Sequence, residues 1–368
     1  MIDFNVDQFT LTIMIDEKEF KAYEENYYRY SRYLFAEALK LEELFGLPAH
    51  LPYGDGWYNN IFDYGYADRH LFFKYNDEVV ENQISVVFHA ETLKEYLKSY
   101  RNKIDSSFTV FKLFKKLSEL GDIRFSRLDI AIDLIDEQVI VNDLANRINE
   151  YDVIVKNSRD SIISVDSIQQ IGTGGRIETI YINKRKSASF LRIYDKKIEA
   201  MLKDSSDVKT AIECESWTRI ELELKKYYAH NITDLILDCE TEDEFNRILI
   251  GAFLSKFTFL EIDKSEDNSE NGYVEVPFYK DLKKFMNGSK VFLRGHGRER
   301  VTDLQIKYNH LFNNGSMRLF KIIKEAYGEE GLREVFELIN KDCEIMEMNR
   351  DHVRLIDKFK NEIPFFRN

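Results

Sequence analysis

The chain has 368 residues, 44% of them hydrophobic and 14% aromatic, enough to pack more than one domain. Its three cysteines, Cys214, Cys239 and Cys343, are too few and too widely spaced for a disulfide framework or a cysteine zinc site. No secretory leader and no apolar run of roughly 20 residues occurs, so a cytoplasmic protein without a membrane span is expected, and the net charge of -13 excludes a nucleic-acid binder unless its basic residues are concentrated.

Residues 1 to about 80 mix aromatic, strand-like runs with one helix from Tyr23 to about Phe45, followed by a Gly- and Pro-marked loop from Gly46 to Asn60. Ile84 to Phe88 reads as a strand, Glu91 to about Leu117 as a helix, and Ile123 to Leu134 as a long strand. A helix is expected from Val141 to Ile154. Gly172-Thr173-Gly174-Gly175 then opens a hairpin with strands Ile177 to Ile182 and Phe190 to Asp195, joined by the basic turn Asn183 to Ser187. Thr218 to Lys225 is a further strand, Asp263 to Gly272 reads as a linker, and helical patterns follow at Met317 to Tyr327 and Gly331 to Asn340. This order predicts an α+β fold: an antiparallel sheet with packed helices over residues 1-265, then a mostly helical region over 266-368.

Basic residues do concentrate. Between Arg176 and Lys197 there are seven (Arg176, Lys184, Arg185, Lys186, Arg192, Lys196, Lys197) against two acids. A second basic stretch, from Lys283 to Lys307, includes Arg294 and Arg298. It suits either a module that grips duplex DNA or a plain helical cap.

Three strands alternate an aliphatic face with a charged one. Arg127, Asp129, Ala131 and Asp133 oppose Leu128, Ile130, Ile132 and Leu134, and Arg219, Glu221, Glu223 and Lys225 oppose Ile220, Leu222 and Leu224. Arg192, Tyr194 and Lys196 share the third charged face. Should these strands be neighbours, the carboxylates would gather beside a tyrosine flanked by two cations, and clustered carboxylates call for a hard cation, Mg2+ or Mn2+. Residues four apart on a strand are about 13 Å apart. Asp129 and Asp133 therefore cannot both ligate one ion without a bulge, and the preferred set is Asp129, Glu221 and Glu223, with Asp133 supporting. A tyrosine in such a setting suits phosphodiester transesterification with Tyr194 as nucleophile and Arg192 and Lys196 as its basic neighbours.

The run Ser126 to Asp133, the run Thr179 to Ser187 leading into Phe190 to Lys196, and the run Arg219 to Lys225 together resemble the replication initiation factor family, which contains plasmid rolling-circle initiators and relaxases of integrative and conjugative elements. The likeness covers roughly residues 80 to 230. It implies a metal-dependent nick at an origin, with the tyrosine of an Arg-x-Tyr-[Asp/Glu]-Lys motif, here Tyr194, joined to the 5' end. The family's acidic positions fall on Asp129, Asp133, Glu221 and Glu223. DNA would be met by Arg127, Lys184, Arg185, Lys186, Arg219 and Lys225, and by Arg294 and Arg298 in the carboxyl-terminal region. The implied partners are single-stranded and duplex origin DNA and a helicase or transfer coupling protein, with a homodimer as an open assembly state. The His-hydrophobic-His metal pair of the larger nicking class is absent, and His89 and His230 read as structural. Chain length tilts the expectation toward a relaxase. The competing expectations are a DNA-binding regulator without catalysis and a hydrolytic metal nuclease.

Overall fold

The computed structural model describes residues 1-14, 27-66, 69-78, 83-137, 139-203, 207-263, 272-286, 291 and 316-345. Its strands are β1 (Ile2–Met14), β2 (Ala49–Leu51), β3 (Asn60–Asp63), β4 (Leu71–Tyr75), β5 (Gln83–Phe88), β6 (Asp122–Ile135) and β7 (Val153–Asn157). They continue with β8 (Gln169–Thr173), β9 (Arg176–Ile182), β10 (Ser189–Asp195), β11 (Trp217–Lys225), β12 (Phe257–Ile262) and β13 (Tyr273–Glu275). Ten of them form one sheet in the order β2-β3-β4-β5-β1-β6-β11-β10-β9-β8, antiparallel throughout. The other three make a small antiparallel sheet, β13-β12-β7.

The aliphatic faces of the central strands bury against helices. Leu128, Ile130, Ile132, Ile220, Leu222, Leu224, Leu191 and Ile193 join a core with residues of Ala90–Lys103, Val110–Ser118, Tyr227–Asp238 and Glu242–Leu254. Phe9 anchors it, stacked on Phe88 at 4.8 Å and edge-on to Phe114 at 5.0 Å, geometry that aromatic rings prefer beyond simple burial. On the opposite face a small cluster of Ala200, Ala211, Cys214 and Trp217 seats the short helices Lys196–Leu202 and Val208–Glu213.

Several expectations shift. The helix expected over Glu91 to Leu117 is two, Ala90–Lys103 and Val110–Ser118, because Asp105 accepts the Ser107 N–H at 2.9 Å and Thr109 caps the second helix by accepting from the Lys112 N–H. The helix expected over Val141 to Ile154 stops at Asn149. Tyr151 takes a positive φ of 62°, and the β-branched run from Val153 becomes β7, held by β12. Gly174 and Gly175, with φ of 62° and 82°, are themselves a two-residue hairpin turn between β8 and β9, as turns needing positive φ at both positions demand. Of the helix expected from Tyr23 to Phe45, the part from Tyr27 is described and divides into Tyr27–Ala38 and Leu41–Phe45 at Lys40, whose φ is 55°.

The chain falls into two compact units, Met1–Gly295 and His296–Asn368, so the division lies beyond the expected 265. The reason is that β13 pairs with β12 and the helix Pro277–Phe285 buries Phe278, Tyr279 and Leu282 in the core of the first unit. Most of the expected linker lies outside the described residues. In the second unit the described helical span Ser316–Ile345 breaks at Gly328, φ 69°, between the two helices read from sequence. No helix among the described residues is long and apolar enough to cross a membrane.

Where β11 ends at Lys225, β6 continues, and the helix Tyr227–Asp238 takes over its edge: the Phe125 N–H donates to Thr233 Oγ1 at 2.9 Å, and that hydroxyl donates to the Ala229 carbonyl at 2.8 Å. Thr233→Val leaves a buried N–H unpaired. We expect it to lower unfolding free energy by about 1-3 kcal/mol with an unchanged urea m-value, and Thr233→Ser to retain most of the stability.

Candidate active site

The three patterned strands are neighbours at the centre of the sheet, in the order β6-β11-β10. Their register sets opposite charges face to face: Arg219 opposite Asp133 and Arg192 opposite Glu221, while Glu223 lies opposite Asp129. Directly opposed side chains in an antiparallel pair are about 5 Å apart at Cβ, so each pairing is built into the ladder.

The contacts follow from that register. Arg219 reaches Asp133 through two parallel bonds, Nε to Oδ1 and Nη2 to Oδ2, both 2.7 Å, and Trp217 Nε1 donates to the same Oδ1 at 2.6 Å. Arg127 holds Asp129 bidentately at 2.9 and 2.6 Å and bridges to Glu223 Oε2 at 2.8 Å. Arg192 donates to Glu221 Oε2 through Nε at 2.9 Å and also through Nη2. Tyr194 Oη donates to the other oxygen, Glu221 Oε1, at 2.6 Å, and the Arg192 guanidinium lies 4.5 Å from the centre of the Tyr194 ring. Asp129, Asp133, Glu221, Glu223, Arg219 and Tyr194 are all buried, yet all but Asp133 line a cleft of about 280 Å³ that Arg192 also lines.

Burial governs the proton affinities. It pushes Asp129 up to about 7, against the pull of Arg127 and helped by Glu223 and Asp7. Burial also raises Glu221, with Asp7 as the next cause. Tyr194 is raised far above a free phenol, first by burial and then by the charge of Glu221, which together outweigh Arg219 and Arg192. The phenol is therefore neutral at physiological pH and bonded to a carboxylate able to take its proton.

Asp7 was not singled out from sequence. A bulge between Val6 and Gln8 on β1 leaves Asp7 without a partner in the β6 ladder and turns it to Arg219 Nη1 at 3.2 Å. The signal was present: the buried positions of β1 run Val6, then Phe9, Leu11 and Ile13, so the alternation slips by one residue at Asp7.

Other expected residues divide. Lys196 lies at the start of the helix Lys196–Leu202, buried, with Nζ on Glu199 at 2.5 Å and Asp207 at 3.2 Å; it lines the cleft and makes no hydrogen bond to Tyr194. Arg219, expected to meet DNA, is 4% exposed at its side chain and committed to Asp133 and Asp7. Lys184, Arg185 and Lys186 are exposed on the β9-β10 turn, whereas Lys225 pairs with Glu223 and donates to the Arg185 carbonyl. Arg294 and Arg298 lie outside the described residues. His89 packs its ring against His70 and Phe72, and His230 sits in the helix after β11.

For a divalent cation the donors fit in kind. Asp129 and Glu223 are directly opposed, Arg127 Nη2 sits between their oxygens, and Glu223 Oε1 is buried and, among the described residues, accepts no hydrogen bond, though the Lys225 ammonium forms an ion pair with it. Asp133 is saturated by Arg219 and Trp217 and does not fit. No three His, Cys, Asp or Glu side chains among the described residues converge on a ready-made metal position.

The sequence of residues 123–351 matches the family model for replication initiation factor. The chain belongs to the replication initiation factor family. The family match takes in β6, β10 and β11 and leaves out β1 with Asp7. The fold is also similar to the solved structure of a rolling circle replication initiator protein from Geobacillus stearothermophilus, at 18% identity and a TM-score of 0.55, covering 80% of this chain and 99% of that one. No curated protein sequence matches.

Two outcomes follow from the buried ion pairs. Asp133→Ala leaves a buried guanidinium short of its main partner and should cost about 3-5 kcal/mol of unfolding free energy in urea titrations. The carboxyl of Asp129 has a folded value near 7 above its ordinary 3.8, so the folded state holds that proton longer and loses stability as pH rises between the two. Asp129→Asn should flatten that decline, measured as melting temperature against pH.

Proposed function

We propose that this protein is an origin-specific DNA strand-nicking and -joining enzyme in which Tyr194 attacks the phosphodiester and keeps the 5' end as a phosphotyrosine, opening a strand for rolling-circle replication or transfer. The observation that carries the reading is the 2.6 Å bond from the Tyr194 hydroxyl to Glu221, beside a cleft in a chain of the initiator family.

Glu221 accepts the phenolic proton as Tyr194 Oη bonds to phosphorus. The bond from phosphorus to the 3' oxygen breaks, and that oxygen leaves with a proton from water. The raised proton affinity of Glu221 makes it a better base than an ordinary carboxylate. Arg192, over the ring and on Glu221, holds the pair in register and faces the charge that develops. The product is still a phosphate diester, so the reverse attack by a 3' hydroxyl reseals the strand. Asp129 and Glu223, with Glu221 beside them, are the residues that would hold Mg2+ or Mn2+. Such an ion, when bound, supplies positive charge to the phosphoryl oxygens. Arg127, Lys225 and the exposed Lys184, Arg185 and Lys186 would meet the DNA backbone. The duplex-binding role of the carboxyl-terminal region, and a helicase or coupling partner, belong to this same proposal.

The Geobacillus structure is matched over 99% of its own chain and 80% of this one, so this chain is the longer of the two and its length still leaves the relaxase form open, while the fold likeness to an initiator weighs for the other. A rolling-circle initiator is the preferred form of the proposal.

Labelled single-stranded oligonucleotides tiled across the DNA beside its own gene, incubated with Mg2+ or Mn2+ and run on a denaturing gel, test it. A covalent adduct should form and disappear in Tyr194→Phe. In Glu221→Gln the adduct should form about 10²- to 10⁴-fold more slowly and lose the acid limb of its pH profile; an adduct persisting in Tyr194→Phe contradicts the assignment, and cleavage without adduct indicates hydrolysis. Mn2+ at about 100 times its dissociation constant should stabilise the wild type by about 2.7 kcal/mol, less in Asp129→Asn and Glu223→Gln.

A further inference from the structure

Tyr181 of β9 and Phe190 of β10 stand apart from the main core, although their strand neighbours Ile180, Ile182, Leu191 and Ile193 all belong to it. Period two therefore places both rings on the polar face, with Arg192, Tyr194 and Glu221. They stack on each other, centroids 5.6 Å apart and planes inclined by 21°, and both line the cleft that Tyr194 lines. Phe190 is buried and Tyr181 half-buried, so Tyr181 is the ring an incoming molecule would meet. Arg192 is the cross-strand partner of Tyr181, and the exposed Lys184, Arg185 and Lys186 form the turn that joins these two strands.

A stacked aromatic pair on a charged sheet face, bordered by cations, has the character of an unpaired-strand platform: bases stack on the rings while phosphates meet the basic turn. Paired bases in a duplex have no free face to offer it. We propose that Tyr181 and Phe190 form a stacking platform for a base flanking the cut, with the phosphates of that flank on Lys184, Arg185 and Lys186. This rests on the nicking reading of the same cleft. Phe190 and Tyr194 are four residues apart on one strand, about 13 Å at roughly 3.3 Å per residue. The seated base thus lies within about four nucleotides of the cut at a stacked spacing of roughly 3.4 Å, and closer if the strand is extended. Tyr181 and Phe190 are positioning residues, and their effect should fall on affinity and on the choice of nucleotide presented to Tyr194.

The test measures fluorescence anisotropy of a labelled single-stranded oligonucleotide from the DNA beside the gene, with an abasic residue walked along it. Wild-type binding should weaken about 5- to 150-fold, the loss of one base-aromatic stack, at one or two positions within four nucleotides of the cut. Tyr181→Leu should weaken binding of the intact strand by a similar factor and become indifferent to those positions, while Tyr181→Trp should restore both. Equal affinity at every abasic position, or Tyr181→Trp as weak as Tyr181→Leu, overturns the platform. A wild-type protein that forms no adduct with any oligonucleotide overturns the nicking reading alone, and the abasic walk still decides the platform.

Discussion

The structure depends on the antiparallel register that sets Arg219 against Asp133 and Arg192 against Glu221 in the middle of a ten-stranded sheet. Buried charges are costly unless each finds a close, well-oriented partner. Here five carboxylates, Asp7, Asp129, Asp133, Glu221 and Glu223, are met by Arg127, Arg192, Arg219 and Lys225, with every acid other than Asp7 reached by a cation at under 3 Å. A slip of one residue would turn this set toward the aliphatic core and the leucines and isoleucines toward the cleft. Packing of the apolar face and pairing of the charged face therefore specify the same register.

That lattice holds the Tyr194 phenol in its protonated form. It is buried and bonded to Glu221, so it does not act as a free phenolate. Among the described residues the hydroxyl donates to Glu221, which is held by Arg192, and Arg192 also covers the ring. Asp133, Arg219 and Trp217 form the supporting corner. They hold β6 and β11 together and make no hydrogen bond to the tyrosine hydroxyl, although Arg219, opposite Tyr194 in the ladder, lowers its proton affinity by charge.

Much of this was legible in the sequence. Period two separated the aliphatic and charged faces of β6, β10 and β11 correctly, because residues on a strand face are fixed by the pleat alone. Sequence could not tell which charges meet, since that depends on register between strands far apart in the chain. Arg219 therefore read as a DNA contact although Asp133 and Asp7 consume it, and Lys196 read as a neighbour of the phenol although a helix begins there and directs it to Glu199 and Asp207. Asp7 was hidden by a bulge, and the break between the helices at Ile104 to Thr109 by side-chain bonds of Asp105 and Thr109, local chemistry that helical spacing does not register.

The proposed chemistry requires one side chain in this lattice to become covalently joined to DNA. Protease digestion of the isolated protein-oligonucleotide adduct, followed by mass spectrometry of the nucleotide-bearing peptide, reads that residue directly. A 5'-phosphate on Tyr194 is expected; a nucleotide on any other side chain would rule out Tyr194 as the nucleophile.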